Sequence, residues 1–133
     1  MKLAREIVAV GATAILVTTI TPAPAVAADK EVRVYLPALG GPDFAGLGKW
    51  TDEDDTLCAL LGQNQSHDKL VVRIRPRNGV GPSFRVIDHN PTPAASGSCT
   101  GDLSIPENRR YRMRVSVLQL NGDTYSVASN FRT

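Results

Sequence analysis

Residues 28–133 predict an all-β fold, an antiparallel β-sandwich of about seven strands, and three observations carry that expectation. Apolar and polar residues alternate with a period of two in several runs. Val32, Val34 and Leu36 bracket Arg33 and Tyr35. Leu70, Val72 and Ile74 oppose Val71, Arg73, Arg75 and Arg77. Tyr111, Met113, Val115 and Val117 oppose Arg110, Arg112, Arg114 and Ser116. This is the period of a strand with one dry and one wet face. Turn dipeptides, Asn78-Gly79 and Asn121-Gly122, separate the runs. Helical periodicity is absent over the same residues, which leaves packed sheets as the architecture.

The elements follow in order. Lys2 and Arg5 precede an apolar run from Ile7 to Ile20, then Thr21-Pro22-Ala23-Pro24 and the small-x-small triplet Ala25-Val26-Ala27. Residues 1–27 are therefore expected to be a secretory signal-peptide helix, removed by cleavage. The apolar run falls short of the ~20 residues that span a bilayer. Residues 28–133 then form one exported domain, with no membrane segment after cleavage. Val32 to Leu36 is the first strand. Residues 38–49, rich in glycine, read as a loop carrying Phe44 up to Trp50. The acids Asp52, Glu53, Asp54 and Asp55 precede a strand at Thr56 to Leu61. Lys69 to Arg77 is a clear strand, Ser83 to Asp88 a shorter one, and residues 89–98 a surface loop. Leu103 to Pro106 is a brief strand. The chain ends in a hairpin, Arg110 to Phe131, turning at Asn121-Gly122 through a two-residue loop.

Charge and cysteines narrow the class. Residues 28–133 hold thirteen lysines and arginines against twelve acids, a net charge of +1. That balance does not mark a general polyanion or nucleic-acid binder. Cys58 and Cys99 are the two cysteines, and an even count in an exported chain reads as a disulfide. Closing a loop of 41 residue steps stabilises by about 4 kcal/mol on the chain-entropy model.

Ile105-Pro106, then the run Tyr111 to Val117, then Asn121-Gly122, resembles the end of a fibronectin type III or immunoglobulin-like domain. The resemblance implies a sandwich in which the third and sixth strands are neighbours. It also implies that Tyr111 is a tyrosine-corner residue, its hydroxyl bonded to the backbone a few residues upstream. Upstream the pattern departs. Trp50 precedes Cys58, and no cysteine follows Tyr111 by two. The fold is carried over, and no activity with it.

The arginines are the leading candidate site. Arg73, Arg75 and Arg77 share one strand face, as do Arg110, Arg112 and Arg114, with Arg85 near the edge. If the two strands are neighbours, six guanidinium groups converge. Like charges facing one another destabilise a sheet by a few tenths to ~1 kcal/mol per pair. The counter-charge is either internal, the acids at 52–55 folded over that face, or an external anion gripped by guanidinium forks. A wet face whose arginine stems cover apolar sheet is the plainer reading.

Other constellations are weaker. Asp52 to Asp55 lacks the alternating ligands and central glycine of a calcium loop. His67-Asp68 and Asp88-His89 sit at strand ends and would form an acid–base or metal site only if the two turns met. No catalytic motif occurs. Phe44 and Trp50, with Tyr35, are candidate contacts for sugar rings, and Trp50 equally a plug for the core. Asn64-Gln65-Ser66 matches a glycosylation acceptor.

The expectation is a small secreted, non-catalytic, cofactor-free and metal-free binding module, monomeric, taking an anionic polysaccharide, the cell wall or another extracellular protein on the arginine face. The alternative is an exported protease inhibitor presenting residues 40–49 or 89–98.

Overall fold

The structure, a computed structural model, describes residues 28–37, 42–62, 67–89 and 97–133. The expected signal peptide lies outside these residues, as do most of the 89–98 loop and the glycosylation triplet. Eight strands are present: β1 (Lys30–Leu36), β2 (Asp43–Thr51), β3 (Thr56–Leu61), β4 (His67–Pro76), β5 (Phe84–His89), β6 (Ser98–Cys99), β7 (Arg110–Gln119) and β8 (Thr124–Arg132). They make two antiparallel sheets, β1-β2-β3-β6 (sheet A) and β5-β4-β7-β8 (sheet B). No helix occurs among the described residues, so none there is long and apolar enough to cross a membrane.

The alternating residues do what their period demands. Val32, Val34, Leu36, Leu57, Ala59 and Leu61 turn inward from sheet A. Leu70, Val72, Ile74, Met113, Val115 and Val117 meet them from sheet B, in one core. The run at 56–61, whose alternation is blurred by Cys58 and Leu60, is a strand with its odd-numbered apolar residues buried and the even ones half-buried. At one end Phe131 packs between Trp50 and Tyr111, with ring centroids 5.7 and 6.0 Å apart and tilted rather than stacked face to face.

Two elements differ from expectation. Residues 43–49 are strand, not loop. Gly46 and Gly48 sit in β2 because sheet B comes too near for a side chain. A Cβ on Gly48 would lie 2.7 Å from Val115 Cγ2 and 2.8 Å from Val72 Cγ1. A register shift opposite Val34 and Tyr35 places Ala45 as an extra, bulged residue, which spoils the period of two. Residues 103–106 are not a strand; the partner of β3 is the two-residue β6. Ser104 takes φ 47° with its N–H on Asp102 Oδ1 at 3.0 Å, a local turn, while Ile105 still plugs the core.

The terminal hairpin also turns differently. Its loop has three residues: Gly122 N–H bonds Gln119 C=O at 3.0 Å, and Gln119 N–H bonds Asp123 C=O at 2.9 Å. Gly122, at φ 94°, supplies the positive φ that Asn121 does not. Asn121 instead accepts from Asp123 N–H at 2.9 Å. This is a three-residue loop closed by a glycine bulge rather than a two-residue turn.

Candidate functional site: the arginine face of sheet B

β4 and β7 are hydrogen-bonded neighbours, so the two arginine runs meet. Arg73 stands opposite Arg114 and Arg75 opposite Arg112. Arg77 N–H bonds the Arg110 carbonyl at 2.9 Å, which makes a third rung. β5 adds Arg85 beside Arg73, and β8 adds Arg132 beside Arg110. The alternation that buries Val72, Ile74, Met113 and Val115 compels every one of these side chains outward.

Two concavities lie in succession along this strand pair. Arg73, Arg75, Arg112 and Arg114 line the first, about 190 Å³. Arg77, Arg109, Arg110 and Arg132 line the second, about 460 Å³, together with Asn78 and Asn108. Arg132 is held there by Asn108, whose Oδ1 accepts from its Nη1 at 2.7 Å. Asn108 in turn takes φ 62° and donates its N–H to the Thr133 carbonyl at 2.6 Å. Arg109 and Arg132 were not legible as site residues. The hairpin register would have placed Arg132 beside Arg110 had the loop length been known.

Among the described residues, none of these arginines pairs with a carboxylate. The acids at 52–55 do not fold over them. They form the β2–β3 turn of sheet A, where Asp52 N–H bonds Asp29 Oδ1 at 3.0 Å and the Asp55 carbonyl accepts from Leu103 N–H at 3.1 Å. Burial, with Asp102 and Asp52 nearby, raises the Asp55 pKa.

The remaining candidates have structural roles. Cys58 and Cys99 are joined as expected, but they are directly opposed neighbours within sheet A, with Cα atoms 4.0 Å apart. Trp50 is fully buried, its Nε1 without a hydrogen-bond partner, so it is core and not a sugar contact. Phe44 is half-buried on the outer face of sheet A, edge-on to Tyr35 at 5.9 Å and beneath the Arg33 guanidinium at 5.8 Å. Tyr111 is buried, and its hydroxyl donates to the Pro82 carbonyl at 3.3 Å, 29 residues upstream in the β4–β5 connection. It is therefore a clamp on that connection, not a corner bonded to its own approach segment. Burial raises its pKa.

The histidine turns are divided between core and surface. Asp88 is buried, accepting from Leu61 N–H at 2.8 Å and Ser98 Oγ at 3.3 Å, and so ties β5 to sheet A. His67 is buried at the start of β4, and desolvation lowers its pKa against the opposing pull of Asp43 and a Gly62 backbone hydrogen bond. His89 is exposed across from Lys69. No group of three or more histidine, cysteine or acidic residues able to hold a metal occurs among the described residues.

No protein-family model, curated protein or solved structure matches the chain.

Proposed function

We propose that this protein is a secreted, non-catalytic binding module that attaches to an anionic polysaccharide of a cell wall or extracellular matrix through the outer face of sheet B. The observation that carries the reading is the ladder of registered arginines with no carboxylate among them. Guanidinium forks grip oxyanions bidentately, and a face that leaves them unpaired is complementary to an external anion. The disulfide and the leader-like composition of residues 1–27 support export.

The strand order supports an immunoglobulin- or fibronectin-like sandwich. Taken as A, B, C, C′, E, F and G, strands β2 to β8 give A-B-E against C′-C-F-G, with β1 added at the A edge. The disulfide departs from the immunoglobulin plan, joining B to E within a sheet instead of B to F across the core. The protease-inhibitor alternative has less support from the first of its two segments, since residues 46–49 are paired on both sides within sheet A.

The test is co-sedimentation with insoluble cell walls and acidic polysaccharides at low and high salt. The wild-type protein is compared with a folded Arg110→Ala/Arg112→Ala/Arg114→Ala variant. Retention that weakens with salt, because exposed charges are screened beyond ~8 Å at physiological ionic strength, and that is lost in the variant is expected. Equal retention of both proteins, or retention of neither, overturns the reading.

A further inference from the structure

Resting on that reading, we infer that the ligand is a linear polymer bearing sulfate or phosphate-monoester groups. It runs along β4 and β7 and seats one anionic group in each of the two arginine concavities.

The direction comes from the placement of the concavities. The first spans the rungs Arg73–Arg114 and Arg75–Arg112, and the second begins at Arg77 and Arg110. Successive rungs are two residues apart, roughly 6.7 Å. The centres of the concavities therefore lie on the order of 10 Å apart along the strands, a spacing built from strand rise. A single small anion fills one and leaves the other four guanidinium groups uncompensated. A chain with repeated anionic groups fills both.

The chemistry of the group comes from the number of forks. A carboxylate presents one edge of two oxygens, which one guanidinium satisfies bidentately. Four arginines line the first concavity. A tetrahedral group with three terminal oxygens offers three such edges and matches a ring of forks that a planar carboxylate leaves mostly unused. The second concavity is pre-shaped, since the Asn108 bond fixes Arg132 before any ligand arrives.

The surroundings argue against single-stranded nucleic acid. Around the arginines, the outward positions of sheet B are Lys69, Val71, Ser116, Leu118, Thr124, Ser126, Ala128 and Asn130, with Ile87 and His89 on β5. None is Phe, Tyr or Trp, and single-stranded nucleic acids are held largely by base stacking on aromatic rings. The face reads anionic groups and nothing between them.

The experiment measures affinity of the full protein, at low salt, for size-graded dextran sulfate, matched phosphorylated dextran, polygalacturonate, inorganic sulfate and duplex DNA. Two variants are compared, Arg75→Gln/Arg112→Gln in the first concavity and Arg109→Gln/Arg132→Gln in the second, each with folding checked by near-ultraviolet circular dichroism. Affinity for one or both of the tetrahedral-ester dextrans is expected to rise at least tenfold once a fragment bridges both concavities, and the two dextrans tell sulfate from phosphate. Each variant is expected to lose that length-dependent gain while still binding short fragments. Polygalacturonate should bind at least tenfold more weakly. Equal binding of short and long fragments, or of polygalacturonate, overturns this inference and leaves the proposed function standing. Duplex DNA binding as tightly as the dextrans overturns the polymer class. Failure of every anionic polymer to bind overturns both.

Discussion

The two outer faces of this sandwich handle charge in opposite ways. On sheet A, Arg33 is paired with Glu31 two residues away and lies over the Phe44 ring. The bond to Glu31, with Tyr35 second, raises its pKa further above the ordinary arginine range. On sheet B, Arg73 faces both Arg85 and Arg114, and Arg75 faces Arg112, with no carboxylate in contact. Among the described residues, the chain thus pairs an arginine with an acid on one outer face and none on the other. Where stability is the only demand, local pairing is available to this sequence. Among the described residues no such pairing occurs on the outer face of sheet B, and that is the charge the proposed ligand would answer.

The sharpest way to separate the faces is to weaken sheet A and ask whether sheet B notices. β6 is two residues long, and the disulfide fastens it to β3. Replacing Cys58 and Cys99 with alanine is expected to lower unfolding free energy by about 4 kcal/mol, from a closed loop of 41 residues. Urea titration measures it. The fraction still folded should bind the polymer as tightly as wild type, because no sheet B rung involves β6. A loss of under ~1 kcal/mol would mean that the residual β3–β6 pairing and the Asp88 bridge hold the strand without covalent help.

A smaller loss is expected between the sheets. Gly48→Ala adds one methyl where Val72 and Val115 already stand 2.7–2.8 Å from the added atom. Overpacking of this kind costs typically 1–3 kcal/mol, and thermal unfolding would register it. A neutral result would show that β2 can drift outward. The substitution pushes on the two β4 and β7 residues that flank the Arg73 rung from beneath. A stable Gly48→Ala protein with altered polymer affinity would therefore show that the spacing of the face is set by core packing.

The same glycines explain what was and was not legible in the sequence. β4, β7 and β8 declare themselves because each alternates apolar and polar residues over most of its length. β2 does not, because its inward positions include Gly46 and Gly48 and its period is broken by the bulge at Ala45. Gly48 answers to Val72 and Val115 of the opposite sheet, and the bulge to the register with β1, neither of which a local pattern records. The candidate site divides similarly. The five arginines of β4 and β7, with Arg77 just beyond β4, are legible from period and neighbour order. Arg109 and Arg132 join them only through the turn at Asn108 and a hairpin loop one residue longer than Asn-Gly alone implies. Trp50 was ambiguous from composition, and its burial against Phe131 resolves it as core.

The smallest expected effect tests the comparison most directly, because its sign differs from an ordinary deletion. Arg112→Gln removes one charge from the Arg75 rung while keeping much of the stem. In the absence of polymer at low salt it should raise stability by a few tenths to about 1 kcal/mol, the cost of one facing like-charge pair. The gain should vanish in 1 M salt, where the screening length is ~3 Å. Glu31→Gln on the opposite face should move stability the other way, by removing the partner of Arg33. Chemical denaturation with urea at the two salt concentrations reads both. If Arg112→Gln instead destabilises equally at low and high salt, its stem packing on the sheet outweighs the repulsion. The bare arginines would then be a covering for sheet B, and their lack of carboxylates would no longer argue for a ligand.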